Sequence, residues 1–291
     1  MAKETKRAGH VLLSVLIALI ATALITFGLL HLSASASLSS KNMHALAENV
    51  DVEEYLDKPT LVKLINNIIY RWTKASPSSS IYATEDTLSN FYDETRVRTF
   101  IGDVYNAIAR SMKTGKELTL PTDDVLPLAE PLRQYVSGKI GREITGEECA
   151  EEIGKAINLK AAYPEIPHVV RLGLGIGALA FAAVLLIVLL LLRRENPSMG
   201  FLHAALAFAL PALVMLIGSK GVESSWYSIS NFPVDKWIEV FRKSIRVTGI
   251  LCLIPVVICL ILMVVLMFTY TAKPAKKTVV KQEESNDDLW Y

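Results

Sequence analysis

Long apolar runs free of charge interrupt the chain at 11–32, 172–192, 201–218 and 247–270, with lengths of 22, 21, 18 and 24 residues. A helix rising ~1.5 Å per residue needs ~20 residues to cross a hydrocarbon core of ~30 Å, so each run predicts a transmembrane helix. The third is the shortest and carries Pro211 and His203, which makes a re-entrant hairpin its competitor. Pro255 in the fourth is tolerable in lipid because neighbouring helices can satisfy the carbonyl it frees.

Between the first two runs the pattern turns amphipathic with helical spacing. Over 60–72, Leu61, Leu64, Ile65, Ile68, Ile69 and Trp72 recur at three- and four-residue intervals behind Pro59, which suits a helix start. A drifting stripe of Leu88, Phe91, Tyr92, Ile101, Val104, Tyr105, Ile108 and Met112 predicts helix over 86–114, stopped by Gly115 and open to a break at Gly102. Thr122 reads as the N-cap of a helix through Val125, Leu128, Leu132, Tyr135 and Val136 ending at Gly138, weakened by Pro127 and Pro131. Thr145 and Glu148 form a capping box for a further helix through Ile153 and Ile157. Alternating strand patterns are scarce, and the run Ser76-Pro77-Ser78-Ser79-Ser80 reads as an exposed loop.

The fold expected is therefore all-α: a polytopic membrane protein with four transmembrane helices and an extracytoplasmic helical domain between the first two. The boundaries are a cytoplasmic tail (1–10), a first span (11–32), the helical domain (33–166), a second span (167–192), a cytoplasmic loop (193–200) and a third span (201–218). There follow an outer loop with an interfacial amphipathic helix (219–246), a fourth span (247–270) and a disordered cytoplasmic tail (271–291).

Composition agrees. The 291 residues are 52% apolar, and mean hydropathy is +0.36. The balance of 30 Lys+Arg against 29 Asp+Glu offers no basic face for nucleic acid. Lys3, Lys6 and Arg7 before the first run, and Ala34-Ser35-Ala36 after it, resemble a secretory signal, but signal cores usually span ~7 to 15 residues, so an uncleaved anchor is expected. With the N-terminus inside, the inner face collects nine basic residues and the short outer loop five (Lys220, Lys236, Arg242, Lys243, Arg246), which favours both termini in the cytoplasm. Only Cys149 of the three cysteines lies in 33–166, which excludes a disulfide-stapled domain. This and the missing N-x-S/T sequon fit a bacterial plasma membrane.

Chemistry-bearing motifs are missing: there is no P-loop, H-E-x-x-H, C-x-x-C or G-x-S-x-G. No enzyme activity, cofactor or metal is expected. The Gly173-Leu174-Gly175-Ile176-Gly177 run mimics a dinucleotide turn without its strand or acidic residue. Gly173 and Gly177 instead make a G-x-x-x-G pair and are candidates for close helix packing. Glu147, Glu148, Glu151 and Glu152 sit where they complement a helix N-terminus rather than hold a cation. The spans contain no Asp, Glu, Lys or Arg, which argues against ion-coupled transport. In the outer loop, Val234, Trp237, Ile238, Phe241 and Ile245 share a face, and Trp237, Phe241, Arg242 and Lys243 are candidates for the membrane interface, bases towards lipid phosphate.

In topology alone, one span, a large exported part and three more spans resemble the cell-division and macrolide-export permeases that work with ABC ATPases. That resemblance implies an ATPase partner and strand-forming exported segments, which the helical pattern here lacks. The leading expectation is a scaffold or sensor in contact with the lipid bilayer, whose exported domain binds an envelope partner or ligand.

Overall fold

A computed structural model of the chain describes residues 2–55, 57–76, 78–89, 93–157, 166–222 and 232–271. Phe91, Tyr92 and the tail beyond 271 lie outside these residues. Among those described, regular structure is entirely helical: α1 (Ala2–Ser37), α2 (Ser40–Ala47), α3 (Val52–Tyr55), α4 (Lys58–Thr73), α5 (Glu85–Ser89), α6 (Glu94–Thr114), α7 (Thr122–Ile140), α8 (Gly146–Ile157), α9 (Leu172–Leu192), α10 (Pro197–Gly218), α11 (Val234–Leu251) and α12 (Leu253–Thr271).

Four helices are long and apolar enough to cross a membrane: Val11–Ser37, Leu172–Leu192, Pro197–Gly218 and Val234–Thr269. The third is one continuous helix through Pro211, not a re-entrant pair. These helices alternate in direction. Gly28, late in α1, meets Gly175 and Leu179, early in α9. Leu190 of α9 meets Gly200 of α10 across a tight connection, and Ala212 and Met215 of α10 meet Gly249 of α11. The start of α1 and the end of α12 therefore share one end of the bundle, and α2–α8 gather at the other. Among the described residues, the exposed large apolar side chains lie on the four long helices, with the single exception of Tyr70 on α4. A lipid-facing belt and a water-facing domain account for that division.

Local signals explain most helix ends. Asp57 caps α4 by accepting from the Thr60 N–H at 2.9 Å, with Pro59 in the first turn. At α8 the Thr145 hydroxyl accepts from the Glu148 N–H (3.1 Å) while Glu148 accepts from the Thr145 N–H (3.2 Å), so the capping box is formed. Gly115 and Gly141 end α6 and α7 with φ of 66° and 68°, a left-handed turn that glycine adopts without strain.

Three sequence expectations need correcting. α6 runs unbroken through Gly102 and is preceded by an N-cap, Asp93; Gly102 is small because the His44 ring lies where its Cβ would be, 2.7 Å from Cδ2. α7 starts at Thr122 with Pro121 in the cap position and no side-chain cap, and continues past Gly138 to Ile140. Third, α11 does not stand apart as an interfacial helix; it runs on into α12 with a single intervening residue, Cys252.

The core clarifies why. Leu61, Ile65, Ile68 and Ile69 of α4, Tyr105, Ile108 and Met112 of α6, Val125, Leu132 and Val136 of α7 and Ile153 of α8 form one buried cluster. That cluster also takes in Leu38 at the end of α1, Val170, and Phe232, Trp237 and Ile238 around the start of α11. The hydrophobic unit is thus not confined to 33–166. A second, smaller cluster of Ala21, Ile25, Ala182, Ala207, Ala212 and Cys252 sits among the long helices, where small side chains permit close approach.

Candidate functional site: an apolar cleft in the helical domain

An apolar concavity opens where five helices of the domain meet. Leu61, Leu64 and Ile65 come from one face of α4, Leu88 from α5, Val97 from α6, Leu128, Pro131 and Leu132 from α7, and Ile153 from α8, around about 480 Å³ including the open mouth. The helical repeat brings each set of neighbours to one face. Pro131, lacking an N–H, leaves the Pro127 carbonyl without its donor one turn along α7.

At the rim Asp93 and Arg96 pair at 3.4 Å, both about half exposed. Asp93 also accepts from the Thr95 N–H at 2.9 Å as the cap of α6, which fixes its position. No nucleophile lines this cleft. Its lining is aliphatic, with two opposite charges at the mouth.

A second concavity of about 450 Å³ is polar, lined by Trp72, Ile140, Arg142, Ile144, Glu148, Glu151 and Glu152. Its carboxylates are engaged: Arg142 with Glu148 (3.1 Å), Arg71 with Glu152 (3.7 Å), and Lys155 with Glu151 (2.8 Å) and Glu152 (3.1 Å). The hydrogen bond from Lys155 holds the Glu151 carboxyl below its ordinary value. No group of three or more His, Cys, Asp or Glu among the described residues is placed to hold a metal ion. Cys149 is buried and contacts the Ala129 carbonyl at 3.5 Å; burial, then the Glu130 charge, pushes its thiol up to about 12, so it stays protonated and unreactive near neutrality.

The sequence-predicted residues fall elsewhere. Nothing lies within 4 Å of a Cβ built on Gly173 or Gly177. The close approach within the chain falls between them, two residues from each, where a Cβ on Gly175 would be 2.8 Å from the His31 Cβ and one on Gly28 would be 2.8 Å from the Gly175 carbonyl oxygen. Trp237 is 1% exposed. It stacks on Phe241 at 5.8 Å, tilts against Phe232, and donates from Nε1 to the Ser37 hydroxyl at 3.1 Å. Arg242 donates to the Val222 carbonyl from Nε (2.7 Å) and Nη2, while Lys243 is exposed. Of the four interface candidates, Trp237 and Arg242 therefore satisfy themselves on protein, because the apolar stripe of α11 docks on α1 and the domain.

A polar ladder at this junction escaped the sequence reading. Ser33 and Thr248 hydroxyls are 2.8 Å apart, the Ser244 hydroxyl donates to the Ser33 carbonyl at 3.0 Å, and the Ser37 hydroxyl donates to the Ala34 carbonyl at 2.8 Å. The available signal was the four-residue spacing of Ser33/Ser37 and Ser244/Thr248, which puts each pair on one helix face.

Fold and cleft together define an all-helical protein with four helices able to cross a membrane and a compact helical unit at one end of them. Compared with protein-family models, curated proteins and solved structures, the chain matches none.

Proposed function

We propose that this is a non-enzymatic integral protein of a bacterial plasma membrane, with both termini in the cytoplasm, whose helical domain stands outside and binds the apolar part of an envelope partner or ligand. The observation that carries this reading is the aliphatic cleft: a groove lined from five helices by apolar side chains, with few, fixed polar groups at its mouth, has the character of a binding site.

Orientation draws support from two outer-loop bases. Arg242 is held by the Val222 carbonyl and Lys236 Nζ by the Asn49 carbonyl at 3.2 Å, so these charges serve packing within the protein and weigh less against export of the loop. In the permease analogy the exported part contains strands, and the described residues contain none.

Filling the cleft tests the binding reading. Leu64 and Leu128 are partly buried at its lining, and tryptophan at either position occupies the space a ligand would use. Copurification from mild detergent with mass spectrometry should recover a partner or lipid with the wild type that is depleted with Leu64→Trp and Leu128→Trp. Equal recovery from all three, with raised melting temperatures in the filled variants, would mark the cleft as a packing gap. Placement is tested separately: a thiol at exposed Ser78 should label in intact cells, and one at Ser285 only after the membrane is opened. Labelling of Ser285 from outside reverses the orientation.

A further inference from the structure

His44 of α2 and Asp103 of α6 meet far from the cleft and at a mechanically suggestive place. α2 follows α1 directly, and Asn42 binds it to the end of that helix by donating to the Ala36 (3.0 Å) and Ser37 (3.2 Å) carbonyls. α6 is the central helix of the domain. Besides the apolar contacts of Met43, Leu46 and Ala47, two polar links join α2 to α6: Arg98 donates from Nη1 to the carbonyl of Glu48, the C-cap of α2, and His44 Nε2 lies 3.0 Å from Asp103 Oδ1; only the second can change with protonation. The ring reaches it only because position 102 has no side chain: a Cβ there would lie 2.7 Å from Cδ2 and 3.1 Å from Cγ of the imidazole.

The hydrogen-bond roles follow from chemistry. His44 Nδ1 is 2.9 Å from the Ser40 carbonyl oxygen, which only accepts, so Nδ1 carries a hydrogen. A neutral ring with its hydrogen on Nδ1 presents a lone pair at Nε2. A carboxylate oxygen is also only an acceptor, so the 3.0 Å contact is a bond when a proton lies between the two groups and a repulsion when none does.

We propose that His44 and Asp103 form a proton-operated tether, made when the pair holds a proton and released when it is lost, that couples the exit of the first long helix to the helical domain. α2 contributes Lys41 and, at its C-cap, Glu48, whose carbonyl accepts from Arg98 of α6. α6 itself supplies Arg110 and α7 supplies Asp124, which pair at 2.9 Å; α7 also carries Asp123, α3 carries Glu53, and α11 carries Lys236, bound to the Asn49 carbonyl just beyond α2. Asp103 has 15% of its side chain exposed against 37% for His44. Burial pushes the Asp103 carboxyl up from its ordinary value; the His44 charge opposes this and Asp124 adds to it.

With a raised carboxyl, the folded state binds the proton more tightly than the unfolded chain. The tether's contribution is therefore complete below the ordinary carboxylate range and is lost as pH rises through the apparent pKa of the pair. The coupling is independent of what the cleft binds and of which side of the membrane the domain occupies.

Hydrogen exchange of α2 amides in the full chain, held in lipid nanodiscs and corrected for intrinsic exchange, reads the tether from the ordinary carboxylate range at about pH 4 up to about pH 8. Wild type should lose protection on the order of tenfold at the higher pH, the scale of one charge-assisted bond. Asp103→Asn should remove that dependence, because its amide donates to the neutral Nε2 throughout, and His44→Gln should do so by donating to the carboxylate. His44→Ala should be weakly protected at both values. A wild type flat across the range, or an Asp103→Asn variant that keeps the wild-type dependence, overturns the proposal.

Discussion

Leucine at Gly28 or Gly175 should lower the melting temperature of the full chain in detergent sharply, whereas leucine at Gly177 should leave it unchanged. At Gly28 a Cβ alone would sit 2.5 Å from the Leu179 Cγ and 2.8 Å from the Gly175 carbonyl oxygen, and that oxygen belongs to backbone that cannot turn aside. At Gly175 it would meet the His31 Cβ at 2.8 Å and the Gly28 carbonyl oxygen at 3.4 Å. α1 and α9 must then separate. Overpacking costs about 1–3 kcal/mol in a core that can shift, and more where two backbones touch, because lipid supplies no hydrophobic drive to reseat the helices. Gly177 meets nothing within 4 Å, so its replacement tests a contact between copies of the chain and not the fold of one copy. Equal melting losses at Gly175→Leu and Gly177→Leu would refute the observed register of α1 on α9.

Trp237→Ala is the second large effect. The indole is 1% exposed, packs between Phe232 and Phe241, and its N–H satisfies the Ser37 hydroxyl at the end of α1. Phe232 in turn meets Tyr105 of α6 edge-on at 5.3 Å, so the aromatic column runs from α11 into the centre of the domain. Truncation should cost about 3–5 kcal/mol, as for other buried aromatic residues, and Trp237→Phe should recover part of it while losing the Ser37 bond. A tryptophan lying at headgroup depth would give a small loss on truncation. Melting of the full chain therefore separates the two placements, and a loss below about 1 kcal/mol would return Trp237 to the interface. The same column implies that residues 38–162 expressed alone expose the seat of Trp237 and Ile238, and are less stable than in the full chain.

Much of the secondary structure was legible because it is written in short-range terms. A charge-free run of some twenty residues, a three-and-four apolar repeat, a capping box or a glycine at a helix end acts within one or two turns, and α4, α8, α9 and the C-terminal end of α6 follow those signals closely. Errors arose where a local signal has two physical causes. Gly102 reads as a helix breaker by propensity, yet it is the space into which a histidine 58 positions earlier packs. Gly173 and Gly177 satisfy the spacing for close helix contact, but spacing says nothing of which partner that face meets: within one copy the contact falls on Gly175, two residues from each and on the opposite face, and the pair stays open to a contact between copies.

The cleft was partly legible. Leu61, Leu64, Ile65, Leu128, Leu132 and Ile153 were each assigned to apolar helix faces, but whether five such faces close completely or leave a concavity depends on side-chain volumes meeting across helices far apart in sequence. α11 makes the same point for charge and aromatic residues. An amphipathic stripe next to a span is compatible with lipid or with protein, and the sequence alone cannot rank them, since both bury the same apolar area. By itself the sequence determined an all-helical chain with four long apolar helices around an amphipathic helical segment, because periodicity and length are properties of single helices. Which glycines touch, where Trp237 is buried, and that His44 faces Asp103 were decided by tertiary packing, because each depends on the rotation and register of one helix against another.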